Sequence, residues 1–314
     1  MIEFGGVSKI YGGPLGRRVT AVEDLTLAIQ PGEVVGIAGP NGAGKSTLIA
    51  MLLGYVAPTS GEIRIAGEPP RRWIERHGIG YLSELIAIEP RWRAREALVR
   101  YAVLAGIRER EVGARVDAAI DRLGLGEHRD KRVRALSKGN LQRLGLAQAL
   151  LREEAVYVLD EPTHGLDPVW TQRFRGIVGE LRGPGRILFI ASHNLDELQR
   201  VADRVAIIDQ GRLQRVVDTR AGGSASGAMT YRLVIAEGAD HVGTSFAGAI
   251  RVADNEWELP AITVTVLNDG LSRLLSLGGR VAAVMPARSA LEEEFRAAIA
   301  GADADAGGGG GGGP

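Results

Sequence analysis

The sequence predicts an α/β fold with a mostly parallel core sheet, followed by a smaller α+β domain. Three observations carry this prediction. Short β-branched runs alternate with helical patterns up to about residue 217, which is typical of parallel strands joined by crossover helices. A run of small residues at 220–228 then interrupts the pattern, and strands and helices resume over residues 229–302. The length of 314 residues is enough for about two domains.

The elements of the first domain follow from buried apolar runs and amphipathic stretches. Two antiparallel pieces of a small flanking sheet are expected at residues 2–4 and 21–29. Core strands are expected at residues 34–38, 155–159, 187–191 and 205–208. Helices are expected between these strands at residues 45–53, 171–181 and 195–202, and in a helical insert (about 82–152) at residues 91–104, 111–123 and 140–151.

The second domain is predicted from a weaker pattern. Strands are expected at residues 231–236, 262–267 and 281–285, and helices at residues 270–277 and 289–300. Residues 218–228 are predicted to form a linker. Residues 303–314 are predicted to be a disordered tail, because the seven consecutive glycines at 307–313 lose much backbone entropy and bury no side chain.

Charge and composition exclude several classes of protein. The 38 basic and 38 acidic side chains balance, which argues against a protein that binds nucleic acid broadly through its phosphates. The absence of cysteine excludes disulfides and thiolate sites and fits a reducing compartment. The first residues lack the basic start and apolar core of a secretory signal. The longest uncharged run, residues 46–61, is shorter than the ~20 residues that span a bilayer, so no transmembrane segment is expected.

A glycine-rich phosphate-binding pattern lies between the strand at 34–38 and the next helix. Glycines allow successive backbone amides to turn toward phosphates, Lys45 reaches the β- and γ-phosphate oxygens, and the Ser46 hydroxyl binds Mg²⁺. The residue frequencies of this chain give odds of less than about 1% for a chance match. The alternative is a glycine-rich turn beside a surface lysine. The pattern comprises Gly39, Pro40, Asn41, Gly42, Ala43, Gly44, Lys45, Ser46 and Thr47.

Polar side chains also follow two later strands. Asp160 and Glu161 end the strand at 155–159, where a carboxylate pair suits a metal contact by Asp160 and the orientation of a water by Glu161. His193 follows the strand at 187–191 and suits contact with a γ-phosphate. The alternatives are a solvated loop beginning at Pro162 and a structural histidine.

A second candidate anion site precedes the helix at 140–151. Ser137 at a helix start places backbone amides and the positive end of a helix dipole beside Gly139. One phosphate site per chain is the usual need. The second one therefore suggests that it serves the nucleotide of another chain.

Taken in order, these motifs resemble the ATP-binding-cassette (ABC) ATPases over about residues 1–217, with ATP and Mg²⁺ as cofactors. The resemblance implies that Tyr11 stacks on adenine and that His193 senses the γ-phosphate. It also implies that residues 39–47 are the Walker A motif and residues 156–161 the Walker B motif. Residues 137–142 would be the signature motif, with Ser137, Gly139 and Gln142, and residues 165–167 the D-loop, with Asp167. Two such cassettes pair head to tail. The implied mechanism is ATP-driven closure, attack of a water polarised by Glu161, and reopening.

Two positions depart from the common pattern of the family. Lys138 stands in the signature motif, where glycine is common, and places a positive charge near the nucleotide of the partner. Glu84 stands in the Q-loop, where glutamine is common. A glutamate accepts a hydrogen bond from a Mg²⁺-bound water but lacks the amide donor, so Glu84 is a candidate catalytic and metal-site residue.

The second domain resembles that of ATPase subunits of exporters whose permease is a separate polypeptide. The resemblance implies a homodimer at the cytoplasmic face of the membrane, with permease subunits contacting the region from Ile79 to Leu98. Trp92, among arginines, is a candidate contact; the alternative is that Trp92 packs in the helical insert. The transported substrate and the role of the second domain stay open.

Two other functions are alternatives. One is a soluble ABC ATPase acting on ribosomes or nucleic acid, which the single cassette, the balanced charge and the lack of coiled-coil heptads disfavour. The other is a regulatory ATP-binding module with little hydrolysis, suggested by Glu84 and Lys138. The intact carboxylate pair at 160–161 disfavours the regulatory module.

Overall fold

The computed structural model describes residues 1–12, 18–219, 228–287, 291–292 and 294–299. The chain divides into two compact units, Met1–Val217 and Asp218–Pro314. Most of the predicted linker at 218–228 and the whole predicted tail at 303–314 lie outside the described residues. No helix in the described ranges combines the length and apolar character needed to cross a membrane.

The first unit alternates strands and helices along the chain. Its elements are β1 (Ile2–Tyr11), β2 (Val19–Ile29), β3 (Val34–Ala38), α1 (Lys45–Leu52), β4 (Ser60–Ile65), α2 (Pro70–His77), β5 (Gly80–Leu82), α3 (Ala94–Leu104), α4 (Glu109–Arg122), α5 (Lys138–Ala149), β6 (Val156–Asp160), α6 (Pro168–Leu181), β7 (Ile187–Ser192), α7 (Leu195–Val201), β8 (Arg204–Asp209) and β9 (Arg212–Asp218).

A six-stranded sheet forms the centre of this unit, in the order β5-β6-β7-β3-β8-β9. Strands β5, β6, β7, β3 and β8 pair in parallel. Every residue of β3, β6 and β7 is buried. Val35, Val158 and Phe189 of these strands share one apolar core with Phe4 of β1 and Leu48 of α1. Because the strands are parallel, the carboxyl ends of β3, β6 and β7 meet at one edge of the sheet.

A smaller antiparallel sheet has the order β2-β1-β4. Its first two strands contain the two predicted pieces, and Ile2 lies opposite Ile29. Strand β4 was not predicted and pairs with β1 on the other side. Helices α3, α4 and α5 contact one another and correspond to the predicted helical insert.

Local capping explains where these helices begin. Helix α3 begins three residues after the predicted start, because Glu96 accepts a hydrogen bond from the Arg93 backbone at 3.3 Å and closes the first turn there. Helix α5 begins two residues before the predicted start, because the Ser137 side chain accepts a hydrogen bond from the Asn140 backbone.

The second unit has a β-α-β-β-α-β topology. Its elements are β10 (Ala228–Glu237), α8 (Val242–Ser245), β11 (Ile250–Ala253), β12 (Glu256–Thr263), α9 (Val264–Ser276) and β13 (Arg280–Pro286). The four strands form an antiparallel sheet in the order β11-β12-β10-β13, which is the ferredoxin-like arrangement. Leu233, Leu259, Val242 and Leu274 are fully buried and lie in its apolar core.

One predicted strand in this unit is wrong. Residues 262–267 are rich in β-branched side chains, yet β12 ends at Thr263 and α9 begins at Val264. The Thr263 side chain accepts a hydrogen bond from the Val266 backbone, and Leu267, Gly270 and Leu274 then form the buried face of a helix. Tertiary burial thus overrides the local β propensity. Residues 289, 290, 293 and 300 of the predicted helix at 289–300 lie outside the described ranges.

Candidate functional site

The glycine-rich loop connects β3 to α1 and is packed too tightly for other residues. A Cβ on Gly39 would lie 2.4 Å from the carbonyl oxygen of Ile208, and one on Gly44 would lie 2.4 Å from that of Ala21. Gly44 also has a φ of 106°, which side chains with a Cβ rarely adopt. The backbone amides at 42–47 therefore surround a concave surface at the start of α1, which favours an anion.

The Lys45 side chain is hydrogen-bonded to the backbone of this same loop. Its ammonium donates hydrogen bonds to the carbonyl oxygens of Gly39 at 2.7 Å and Pro40 at 3.1 Å. Lys45 is 9% exposed, so its charge is held close to the loop. Ser46 and Thr47 follow in the first turn of α1. The side chains predicted to hold phosphate and metal thus adjoin one concave backbone surface.

Glu161 is held in place by the neighbouring strand. Its backbone has a φ of 48°, in the left-handed region, and its amide donates to the carbonyl of Ala191 at 2.9 Å. The Ser192 hydroxyl donates to one carboxylate oxygen at 3.0 Å, and the His193 amide donates to the other at 2.9 Å. Nδ1 of His193 lies 2.8 Å from that second oxygen and donates to it. This strained backbone and these three contacts orient the carboxylate.

Asp160 lies beside two other carboxylates. Burial, followed by the charges of Glu84 and Glu161, raises the pKa of Asp160 to about 6, while Lys45 acts in the opposite direction. A divalent cation would relieve this repulsion, and the oxygens of Ser46, Asp160 and Glu84 are ligands that Mg²⁺ accepts. No group of three or more His, Asp or Glu side chains among the described residues is placed to hold a metal alone.

These groups line one cavity of about 600 Å³. The structure brings together ten of the predicted site residues and two others, Ala21 and His164. The predicted residues that line the cavity are Asn41, Gly42, Gly44, Lys45, Ser46, Thr47, Glu84, Asp160, Glu161 and His193.

His164 was missed by the sequence reasoning because it shows no metal-ligand spacing. Its position in the loop between Glu161 and Asp167 was the available signal. The His164 and His193 rings meet edge to face, with centroids 6.5 Å apart. The Lys138 ammonium lies 2.5 Å from Nε2 of His164, and since an ammonium only donates, this nitrogen accepts. The unusual signature residue Lys138 therefore contacts a side chain of the cavity in its own chain.

The other predicted nucleotide ligands do not line this cavity. Ser137 and Asp167 cap α5 and α6 by accepting backbone hydrogen bonds. Gly139 packs against the loop at 162–167, where a Cβ would lie 2.9 Å from the carbonyl oxygen of Gly165. Tyr11 lies at the end of β1, 42% exposed, with the Lys9 ammonium 5.2 Å from its ring centroid.

Gln142 has a structural contact that the sequence did not indicate. It is 4% exposed, and its amide donates to the carbonyl oxygens of Glu161 and Pro162, each at 3.0 Å. The signature helix α5 thus holds the backbone that follows Asp160. The side chain of Gln142 therefore supports the loop at Glu161 and Pro162 of its own chain.

The first unit is similar in sequence to known proteins. The family model described as ABC transporter matches residues 22–164. Nod factor export ATP-binding protein I of Paraburkholderia xenovorans is 36% identical over 218 residues, which are 67% of this chain and 68% of that protein. An uncharacterized ABC transporter ATP-binding protein of Synechocystis is 36% identical over 217 residues, which are 68% of this chain and 61% of that protein. The match thus spans about three fifths to two thirds of these relatives.

Solved structures share the fold of the first unit. A dimeric ATP-binding cassette in a post-hydrolysis state, bound to ADP and Pi, has a TM-score of 0.65 at 23% identity and covers 70% of this chain and 99% of its own. An ATP-binding subunit of an ABC transporter has a TM-score of 0.62 at 27% identity and covers 69% of this chain and 90% of its own. These neighbours confirm the fold class predicted from the sequence.

Proposed function

Since this chain belongs to the family of ABC transporter ATP-binding proteins, we propose that it binds and hydrolyses ATP to drive a separate membrane permease. The observation that carries the proposal is the convergence of the phosphate loop with Asp160, Glu161 and His193 in one cavity. In this proposal residues 1–217 are the cassette, 218–228 a linker and 229–302 an accessory α+β domain.

The phosphate loop binds the triphosphate in this mechanism. The amides at 42–47 donate to phosphate oxygens, and the Lys45 ammonium exchanges the Gly39 and Pro40 carbonyls for the β- and γ-phosphates. This exchange favours binding because the lysine is already desolvated and aimed along the loop. Tyr11 is proposed to stack on the adenine.

Ser46, Asp160 and Glu84 are proposed to hold Mg²⁺. When bound, Mg²⁺ supplies electrostatic stabilisation of the charge that develops on the transferred phosphoryl group. Burial, and after it the charges of Glu84 and Glu161, raise the pKa of Asp160, and a cation at this place would stabilise the ionised carboxylates.

Glu161 is proposed to orient the attacking water and accept its proton. Its carboxylate already receives hydrogen bonds from Ser192 and from the His193 amide and ring, so it needs little reorganisation. His193 is 62% exposed at its side chain, which leaves the ring accessible to a γ-phosphate.

A second copy of this chain is proposed to complete the site. Ser137, Gly139 and Asp167 lie at helix starts or in the adjoining loop, where backbone amides attract anions, yet they do not line their own cavity. Head-to-tail pairing would bring them to the partner's nucleotide. Gln142 is proposed to act within the signature motif by supporting the loop after Asp160.

The region from Ile79 to Leu98 is proposed to receive the permease. Leu85 is 81% exposed and directly follows Glu84, which lines the phosphate cavity. An apolar contact between Leu85 and the permease would therefore lie next to that cavity. Trp92 is half-buried beneath the Arg100 guanidinium, 4.6 Å from its ring, and Arg95 pairs with Asp117. Leu85 is therefore a better placed contact than Trp92. The direction of transport is proposed to be export, as the name of the Nod factor export relative states for that protein, and the chain is proposed to act at the cytoplasmic face of the membrane.

The test of hydrolysis is Glu161→Gln in the purified full chain. We expect turnover to fall by about 10²- to 10⁴-fold while ATP binding persists, so that an ATP-bound dimer accumulates. The control is Glu153→Gln, which changes a carboxylate that is 81% exposed and outside the cavity. Normal turnover by Glu161→Gln would overturn the role of Glu161.

The test of the permease is co-purification from membranes. We expect the full chain to recover a hydrophobic subunit, and Leu85→Asp to weaken this recovery without changing ATP binding. Tight, salt-sensitive binding of RNA in place of such a subunit would favour a soluble ABC ATPase.

A further inference from the structure

The second unit contains a cavity that the proposed ATPase cycle does not use. Its volume is about 290 Å³, and it lies between α8, the end of β12 and α9. At about 30 Å³ for each water in the liquid, this space holds roughly ten non-hydrogen atoms. That size fits a small metabolite and is too small for a nucleotide.

One part of the wall is apolar. Phe246, Pro260, Ile262 and Val266 line it, and Phe246 is 4% exposed. The aromatic ring lies against the backbone of α9 at Gly270, where an added Cβ would come within 2.1 Å of a ring carbon. Gly270 thus allows the ring to lie flush with the helix. These contacts provide a site for a short hydrocarbon side chain.

The other part of the wall carries opposite charges on one helix. Asp269 and Arg273 both line the cavity and are four residues apart in α9, a spacing that places side chains on the same face. Neither side chain has a hydrogen bond or an ion pair within the described ranges. An unpaired carboxylate and guanidinium beside one cavity are placed to receive a ligand with both signs of charge.

We propose that this cavity binds a free α-amino acid with an apolar side chain. The α-ammonium contacts Asp269, the α-carboxylate contacts Arg273, and the side chain contacts the wall formed by Phe246 and its apolar neighbours. A phosphate or dicarboxylate would be repelled by Asp269, and a simple amine would be repelled by Arg273. A small apolar zwitterion satisfies both charges, which matches the usual pattern of an apolar pocket with a few convergent polar groups.

The binding experiment uses the purified full chain without nucleotide. L-valine, L-leucine, L-methionine and L-phenylalanine are titrated one at a time by calorimetry, up to about 10 mM. We expect at least one of them to bind with a Kd between about 10 μM and 1 mM. For the best ligand, the analogue without the carboxylate and the analogue without the ammonium are each expected to bind at least about tenfold more weakly.

Three variants test which residues are responsible. Asp269→Asn and Arg273→Gln each remove one charge from the exposed side of α9, and we expect each to lower the affinity by about 10- to 100-fold. Asn268→Ala is the matched control, since Asn268 is an exposed residue of the same helix that does not line the cavity. Circular dichroism and ATP binding report whether each variant is folded.

Three results would overturn the proposal. The first is a folded, ATP-binding chain that binds none of the four amino acids. The second is equal affinity for the amino acid and for an analogue lacking either charge. The third is unchanged affinity in folded Asp269→Asn and Arg273→Gln. None of these results depends on hydrolysis, so the ATPase proposal is tested separately.

Discussion

The predicted nucleotide ligands form two groups, the Walker end and the signature end, which differ in whether they share a cavity. The Walker end comprises residues 39–47, Asp160, Glu161 and His193, and most of these residues line one cavity of a single chain. The signature end, comprising Ser137, Gly139 and Asp167, lies at helix starts and in a loop that do not line that cavity. Under the proposed function, the Walker end binds the nucleotide of its own chain, and the signature end binds the nucleotide of the partner.

The two ends are nevertheless connected within the chain. Gln142 of the signature helix donates to the backbone of the Walker end, and Lys138 contacts His164 in the cavity wall. Movement of α5 would therefore displace the loop that carries Glu161. The comparison teaches that the two ligand sets lie apart but are joined by hydrogen bonds from one helix, α5.

The largest expected effect on ATP turnover comes from inactivating the Walker end in one variant and the signature end in another. Lys45→Ala removes the phosphate ligand, and Ser137→Asp adds a negative charge at the signature end while keeping the helix cap, because Asp is also a good N-cap. We expect each variant alone to lose at least about 100-fold of ATP turnover. An equal mixture is expected to recover about a quarter of normal turnover, since half the dimers contain one intact site out of two.

Ser137→Asn is the control for this mixing experiment, because it keeps the cap without adding charge. It is expected to retain most of the turnover. Absence of recovery in the mixture, with both variants folded and able to exchange subunits, would show that the signature end acts within its own chain and would break the comparison.

A smaller effect on turnover is expected from removing the hydrogen bonds that Gln142 donates to the Walker end. Gln142→Leu leaves the carbonyls of Glu161 and Pro162 without their donor, so we expect a loss of about 1–3 kcal/mol in the free energy of unfolding. Turnover is expected to fall by about tenfold with little change in ATP affinity, because the Glu161 backbone is displaced and the phosphate loop is not. Urea unfolding and steady-state kinetics measure the two effects.

The matched control is Gln148→Leu, a half-buried position further along the same helix. If Gln142→Leu changes turnover no more than this control, the signature helix does not support the Walker end through that amide.

The smallest effect concerns charge at the Walker end. Because the pKa of Asp160 is raised from 3.8 to about 6, the folded chain keeps a proton that the unfolded chain loses between these values. Stability therefore falls as pH rises through this window. Glu84→Gln removes a like charge, lowers the pKa of Asp160, and should stabilise the metal-free chain by roughly 1 kcal/mol above pH 6.

This pH effect is measured by urea unfolding in the presence of a chelator. The difference between Glu84→Gln and the parent chain should vanish near pH 4, where Asp160 is protonated in the folded state of both. A constant difference at every pH would mean that Glu84 acts through something other than the charge of Asp160. Glu75→Gln, which changes an exposed carboxylate paired with Arg71, is the control.

The sequence predicted the parts of the fold and site that depend on local pattern. The strand at 34–38, the glycine spacing of the loop, and the carboxylates after β6 were all visible as runs and fixed spacings. Gln142 and His164 were not visible in these roles, because their partners lie 19 to 26 residues away and depend on how α5 packs on the loop. The strand predicted at 262–267 failed for the same reason, since burial of Leu267 and Leu274 decided the helix.

By itself, the sequence determined the α/β class, the phosphate loop and the order of the motifs, because these follow from residue types at short spacings. Only the tertiary structure decided which ligands share a cavity, how Glu161 is oriented, and that Asp269, Arg273 and Ser245 line a second cavity. The physical reason is that short-range pattern specifies backbone conformation. Distances between side chains far apart in sequence, and the burial that sets their energies, arise only when the elements pack.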